Sequence, residues 1–167
     1  MKLADVEAIL RALNDAEVRY LIVGGLAVVA HGYIRATVDI DIVLNLEESN
    51  ARNAMRALIA IGYRPLVPVD ALEFANPEIR KRWQTEKHMI VFQLRNPNRD
   101  STRLDLFVEE PFSFSDELAR AKWESVAGLR VPVLCLERLL QMKRESGRPQ
   151  DLADVEQLML ISQNRKS

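Results

Sequence analysis

Apolar residues recur along this chain in two rhythms. Leu3, Val6, Ile9, Leu10 and Leu13 stand at helical spacing and predict an amphipathic first helix ending near Asp15. The unbroken apolar run over residues 20–23 reads as a strand, after which Gly24-Gly25 turns the chain. Residues 26–30 are apolar and alanine-containing, which predicts a short buried helix stopped by His31-Gly32. Residues 38–44 follow as a strand in which Asp39 and Asp41 share one face while Ile40 and Ile42 share the other. Helical spacing returns at Ala54, Leu58 and Ile61, with Ser49 placed as N-cap and Gly62 where a left-handed C-cap is expected.

Between residues 65 and 77, Pro65, Pro68 and Pro77 break the pattern and predict loops with a short helical segment. Residues 88–94 and 103–108 read as strands joined by a hairpin connection, Asn96-Pro97-Asn98-Arg99-Asp100. A shorter hairpin is expected from residues 123–127 and 129–134 around Gly128. Leu136, Leu139 and Leu140, then Leu152, Val155, Leu158 and Met159, give a helical tail. The sum is an α+β fold, a mixed β-sheet flanked by helices. Residues 1–134 form its core and residues 135–167 a C-terminal helical extension of the same domain.

With 167 residues, 48% of them hydrophobic, the chain suits one compact domain with a real core. A net charge of -1 supplies no global field for a polyanion, so a nucleotide must be held by local groups. No apolar stretch reaches membrane-spanning length, and residues 1–16 are amphipathic and unlike a signal peptide, so a soluble cytoplasmic protein without a membrane partner is expected. One cysteine, Cys135, with His31 and His88, makes neither a disulfide framework nor a zinc cluster. Carboxylates are left as the protein's metal ligands.

Asp39 and Asp41 repel one another on an apolar strand unless a cation lies between them. Asp105, set between Leu104 and Leu106 as Asp41 is between Ile40 and Ile42, offers a third carboxylate from a neighbouring strand. Three such oxygen donors suit Mg2+ or Mn2+, and two ions about 4 Å apart would align an attacking hydroxyl with a nucleoside triphosphate. Gly24 and Gly25, between strand and helix, let backbone N–H groups approach a phosphate. Arg35 and Thr37 lie close enough in sequence to reach phosphate oxygens, although a loop-exposed arginine reads equally well. His31 is read as a core or capping residue and not as catalytic. Arg80, Lys81, Arg82, Trp83, Lys87 and His88 form the densest basic patch. It would suit an RNA strand, but with Glu78 and Glu86 interleaved it is read as a solvated helix face.

The order Gly24-Gly25, Asp39-Ile40-Asp41, Asp105 resembles the nucleotidyltransferase fold of the DNA polymerase beta superfamily. Residues 31–37, then Lys143 and the run from Gly147 to Asp154, are similar to its minimal bacterial branch of AbiEii-type toxins. The resemblance implies that the paired glycines serve the triphosphate, that the three aspartates hold two metals, and that Lys143 approaches the phosphates. It also places Arg148, Asp151 and Asp154 in a C-terminal motif. Gln150 stands where the branch often has lysine, which passes phosphate contact to Arg148. From its own surroundings Lys143 is equally a solvated helix residue, and Asp151 and Asp154 suit the first turn of a helix without any ligand.

Two functions follow. The first is a metal-dependent nucleotidyltransferase moving a nucleoside monophosphate from a triphosphate to a hydroxyl of RNA, protein or a small molecule, with release of pyrophosphate. The second is a non-catalytic module that senses a nucleotide or docks a partner such as a cognate antitoxin.

Overall fold

The structure, a computed structural model, describes residues 1–98 and 102–164. Arg99 and Asp100 of the expected hairpin connection lie outside them. Helix α1 (Leu3–Asp15) is followed by β1 (Tyr20–Val23), α2 (Gly24–Ala30), β2 (Asp39–Leu44) and α3 (Glu48–Ala60). Next come β3 (Arg64–Pro65), a 3-10 helix (Ala71–Ala75), α4 (Pro77–Lys87), β4 (Val91–Arg95) and β5 (Arg103–Phe107). The chain ends with α5 (Phe114–Ala119), the hairpin β6 (Lys122–Val126) and β7 (Leu129–Val133), then α6 (Leu136–Ser146) and α7 (Pro149–Asn164). The strands make one mixed sheet in the order β3-β4-β5-β2-β1-β7-β6. Strands β2 and β5 run parallel, as do β1 and β7; the other pairs are antiparallel.

Period-two alternation decides which face is core. Ile40, Ile42 and Leu44 of β2, Leu104 and Leu106 of β5, and Phe92 and Leu94 of β4 are all buried. Among the helices, α1 buries Val6, Ile9, Leu10 and Leu13, and α3 buries Ala54, Met55 and Leu58 and packs on α1 and the 3-10 helix. The other face of β2 and β5 is thereby left for Asp39, Asp41 and Asp105. Helices α6 and α7 pack on each other, and α6 reaches α2.

Several sequence-predicted boundaries move. Helix α2 begins at Gly24 itself. Glu47 caps α3 through its backbone position alone, and the Ser49 hydroxyl, predicted as the cap, instead donates to Glu47 Oε1 at 3.1 Å. The strand predicted from residue 88 begins at Val91. Asn76 and Pro77 start a well-capped helix whose pattern carries through Lys87, and His88 closes it in the left-handed region. Gly62, at φ +95°, closes α3 as expected. Ala127 and Gly128 both take positive φ, the geometry of a two-residue turn that follows the twist of β6 and β7. Among the described residues, no helix is long and apolar enough to cross a membrane.

Candidate active site

Register brings the acidic residues together. Asp41 stands directly opposite Asp105, and Asp39 opposite Arg103, in the parallel β2–β5 pair, so all three carboxylates issue from one face of two neighbouring strands. Gln93 of β4 lies opposite Asp105 and donates its amide to both carboxylate oxygens, at 3.2 and 3.3 Å. Asp39 is held by Arg103, Nε to Oδ1 at 2.8 Å. Burial, then the facing Asp41 charge, push the Asp105 carboxyl up to about 6, against the pull of the Gln93 amide. Asp41 is raised too, first by burial and also by Asp39, while the Gly25 N–H hydrogen-bonded to it acts the other way.

These carboxylates lie in a cleft of ≈ 1070 Å³. Among the described residues, no three acidic, histidine or cysteine groups are gathered closely enough to hold a metal as the side chains stand. The donor set nonetheless fits a hard divalent cation: three carboxylates share a face, and Asp41 and Asp105, raised together, are stabilised by a positive charge between them. Arg103 is half exposed, so its hold on Asp39 is weak and a cation competes with it readily.

The glycine bend is shaped around Asp41. Gly24 has φ +60°, and a methyl group there would stand 2.0 Å from Asp41 Oδ2. A methyl on Gly25 would meet Thr37 Oγ1 at 2.4 Å and Arg35 Nη2 at 3.4 Å. Space expected to admit a phosphate is therefore filled by the Asp41 carboxylate and the Thr37 hydroxyl. The Gly25 N–H, expected to face that phosphate, is satisfied by Asp41.

Facing the sheet across the cleft is a buried ionic cluster. Lys143 Nζ reaches Asp151 Oδ1 at 2.5 Å and Asp154 Oδ2 at 2.8 Å, and Arg35 grips both Asp154 oxygens at 2.6 and 2.8 Å. Arg148 Nε and Ser146 Oγ complete Asp151, each at 2.6 Å. Lys143 is neither a solvated lysine nor a free phosphate ligand: its ammonium is buried between two carboxylates. Asp151 and Asp154 likewise do more than suit a helix start. Burial alone would raise Asp151, but hydrogen bonds from Lys143, Ser146 and Arg148 hold it down to about 2. Asp154 is also lowered, burial being overcome by Arg35 and Lys143. Arg148 is the mostly exposed cation of this group and lies at the cleft. Arg35, instead of being loop-exposed, ties the segment before β2 to α7.

The basic patch divides. Arg80 and Trp83 point inward, Trp83 stacking on Phe92 with ring centroids 5.0 Å apart, while Lys81, Arg82 and Lys87 are exposed. An aromatic so buried offers nothing for a base to stack on. His31 caps α2 and its Nε2 lies 2.8 Å from the Leu134 carbonyl oxygen. Gln93 and Arg103 are partners of the acidic row that the sequence reading did not single out. Their signal was the strand register, which places them beside Asp105 and Asp39 once β4, β5 and β2 are aligned.

A profile of the aminoglycoside-2''-adenylyltransferase family matches residues 5–158. The chain belongs to that family. No curated protein matches the sequence. Among solved structures it is similar to the lincosamide antibiotic adenylyltransferase LnuA bound to lincomycin, with TM-score 0.63 and 18% identity over 95% of this chain and 96% of that one. ANT(2'')-Ia in complex with adenylyl-2''-tobramycin gives TM-score 0.56 at 15% identity, covering 99% and 98% of the two chains. A nucleotidyltransferase of Thermotoga maritima gives TM-score 0.54 at 16% identity, covering 95% of each. The fold is that of the nucleotidyltransferases, and the protein is a nucleotidyltransferase enzyme. Enzymes of this adenylyltransferase kind generally use divalent metals, which agrees with the carboxylate row.

In this adenylyltransferase-family chain, Gly24→Ala is expected to cost about 1–2 kcal/mol from the left-handed backbone alone. By pushing Asp41 off the Gly25 N–H it is expected to lower kcat about a hundredfold. Denaturant titration and steady-state turnover check the two effects separately.

Proposed function

We propose that the protein transfers an adenylyl group from ATP to a hydroxyl of a small molecule and releases pyrophosphate. The single observation carrying this reading is the in-register pair Asp41 and Asp105 beside Asp39, on the one sheet face that opens into the cleft. Asp39, Asp41 and Asp105 would hold Mg2+ or Mn2+, two ions in this reading. Such ions, when bound, neutralise charge on the attacking and leaving oxygens of an in-line displacement. Arg148 faces the triphosphate, with Arg35, Thr37 and Lys143 fixing the wall behind it and the Gly24-Gly25 bend seating Asp41.

Asp105 takes the proton. Its carboxylate issues from the sheet face that opens into the cleft, beside the cation it would hold. The acceptor oxygen forms a bond to the α-phosphorus, the bond from that phosphorus to the β-phosphate bridging oxygen breaks, and the hydroxyl proton passes to Asp105. Positioning and charge complementarity supply most of the acceleration. The family match supports a small-molecule acceptor. The RNA or protein acceptor and the antitoxin partner implied by the toxin-like resemblance draw no such support, and the burial of Trp83 removes the aromatic that an RNA strand would use.

ATP labelled at the α- or the γ-phosphate tests the reading in the presence of magnesium and a panel of alcohols. Label from the α-position is expected in the acceptor product and label from the γ-position in pyrophosphate. Transfer of the γ-phosphate, or binding of ATP with no pyrophosphate release across the panel, refutes it.

A further inference from the structure

We infer that Arg64, Arg95 and Arg103 form a binding site for the phosphate dianion of a solute other than ATP, outside the cleft and next to the acidic row. The site goes beyond the transfer reading, and only its separation from the triphosphate rests on that reading. Register builds it. Arg64 of β3 stands opposite Arg95 of β4, Arg95 opposite Arg103 of β5, and Arg103 opposite Asp39 of β2. Residues directly opposite one another in a sheet point to the same face, so one row across four strands carries three guanidinium groups and ends at a carboxylate. All three arginines are exposed, and none is among the residues lining the cleft.

Such a row works against the fold. Like charges directly opposite one another across strands repel, and among the described residues neither Arg64 nor Arg95 is paired with a carboxylate. Arg103 donates from Nε to Asp39 Oδ1 at 2.8 Å and from Nη2 to Oδ2 at 3.3 Å. Arg64 is steadied through Nη1, which donates to the carbonyl oxygens of Ile59 and Tyr63 at 2.9 and 2.7 Å. A guanidinium carries five N–H donors, so both arginines keep donors beyond these bonds. Arg95, which has no side-chain hydrogen bond to another described residue, keeps its fork for a ligand.

The spacing sets the ligand. Neighbouring strands lie about 4.8 Å apart, so Arg95 and Arg103 can close on one small anion from two sides, with Arg64 one strand further out. A single guanidinium fork satisfies the two oxygens of a carboxylate, whereas a phosphate has at least three terminal oxygens and takes donors from more than one direction. Its second negative charge also offsets the repulsion between the facing cations. The triphosphate of ATP has Arg148 at the cleft on the other side of the acidic row. Asp39 joins the two regions: an anion that draws Arg103 towards itself loosens the pair, and loss of that carboxylate frees the Arg103 fork for the anion.

The test is phosphorus-31 line broadening of inorganic phosphate titrated with the purified protein, magnesium and a non-hydrolysable ATP analogue that fills the cleft. Binding is expected to saturate and to weaken at least about tenfold in Arg95→Ala and in Arg103→Ala, to tighten at least about threefold in Asp39→Asn, and to stay unchanged in Arg82→Ala, which removes an exposed cation of α4. Arg95→Ala should unfold no earlier than wild type, since it removes a like-charged neighbour, and its calorimetric Kd for ATP should stay at the wild-type value. Glycerol phosphate titrated in the same way names the source: tighter binding than inorganic phosphate assigns the site to a phosphate carried on a larger solute, weaker binding to the free ion, and either upholds it. Binding that never saturates, or an equal loss in Arg82→Ala, overturns the site. An Arg95→Ala protein that loses ATP affinity as steeply as phosphate affinity gives these arginines to the triphosphate and overturns the separate site while adenylyl transfer stands. Failure of pyrophosphate release would overturn the transfer reading and leave phosphate binding at the row as measured.

Discussion

Replacing Asp105 by Asn is expected to make the protein more stable at pH 7 while lowering nucleotidyl transfer by about a thousandfold or more. The native carboxyl is pushed up to about 6 by burial and by Asp41, whereas in the unfolded chain it titrates near the ordinary aspartate value. Between those two values the native state holds the extra proton, so stability falls as pH rises through the window from about 4 to 6. Above it the charged form costs the fold up to about 3 kcal/mol, which the amide removes. The Gln93 amide still has the Asn carbonyl oxygen to donate to. Thermal unfolding from pH 4 to 8 checks this: the gain should be largest at pH 7 and vanish towards pH 4. Excess magnesium should narrow the gap, since a cation stabilises only the carboxylate form. A variant less stable than wild type at pH 7 would contradict the electrostatic account of the acidic row.

Asp154→Ala is expected to have the largest effect on stability in the opposite direction. Asp154 is fully buried and joins Lys143, which is 7% exposed, to Arg35, which is 17% exposed. Their attraction offsets the cost of burying charge only while the set is complete. Truncation leaves the Lys143 ammonium with Asp151 alone and takes from the Arg35 guanidinium the carboxylate it grips, a loss of about 3–5 kcal/mol. The cluster also has a pH signature. Asp151, held down to about 2, gives a stabilisation that is complete above about pH 4 and disappears as pH falls through about 2, and Asp154, lowered as well, loses its share in the same direction as pH falls. Urea titration of the variant at pH 7 measures the loss. A change below about 1 kcal/mol would mean the cluster is only loosely joined. Because Arg35 leads directly into the segment carrying Thr37 and Asp39, the surviving folded protein should also bind ATP more weakly.

How far the site was legible follows from what kind of information fixes each residue. Alternation along β2 and β5 is local, so the shared face of Asp39 and Asp41, and the matching place of Asp105 between two leucines, were readable from the chain. The double glycine was readable as a bend. Its reason was not: only the distance from Gly24 to Asp41 shows that the missing side chains make room for a carboxylate. Lys143 carries the same limitation. Its partners lie on the next helix and depend on how α6 and α7 cross, so a leucine-rich helix with one lysine gives no hint of a buried triad. Trp83 was readable in principle, because Arg80 and Trp83 are three apart and mark the inward stripe of α4, but the surrounding charges masked it. Residues 114–119 form a helix with too few turns to show a period. Asp39 and Arg103 meet only through parallel pairing, a contact between strands far apart in sequence.

Manganese binding, followed by electron paramagnetic resonance in the presence of a non-hydrolysable ATP analogue, bears on the carboxylate row without relying on turnover. The expected result is bound Mn2+ in the wild-type protein and at least about tenfold weaker binding in both Asp41→Asn and Asp105→Asn, each still folded. Equal manganese affinity in all three proteins would show that these carboxylates are not where the cation sits.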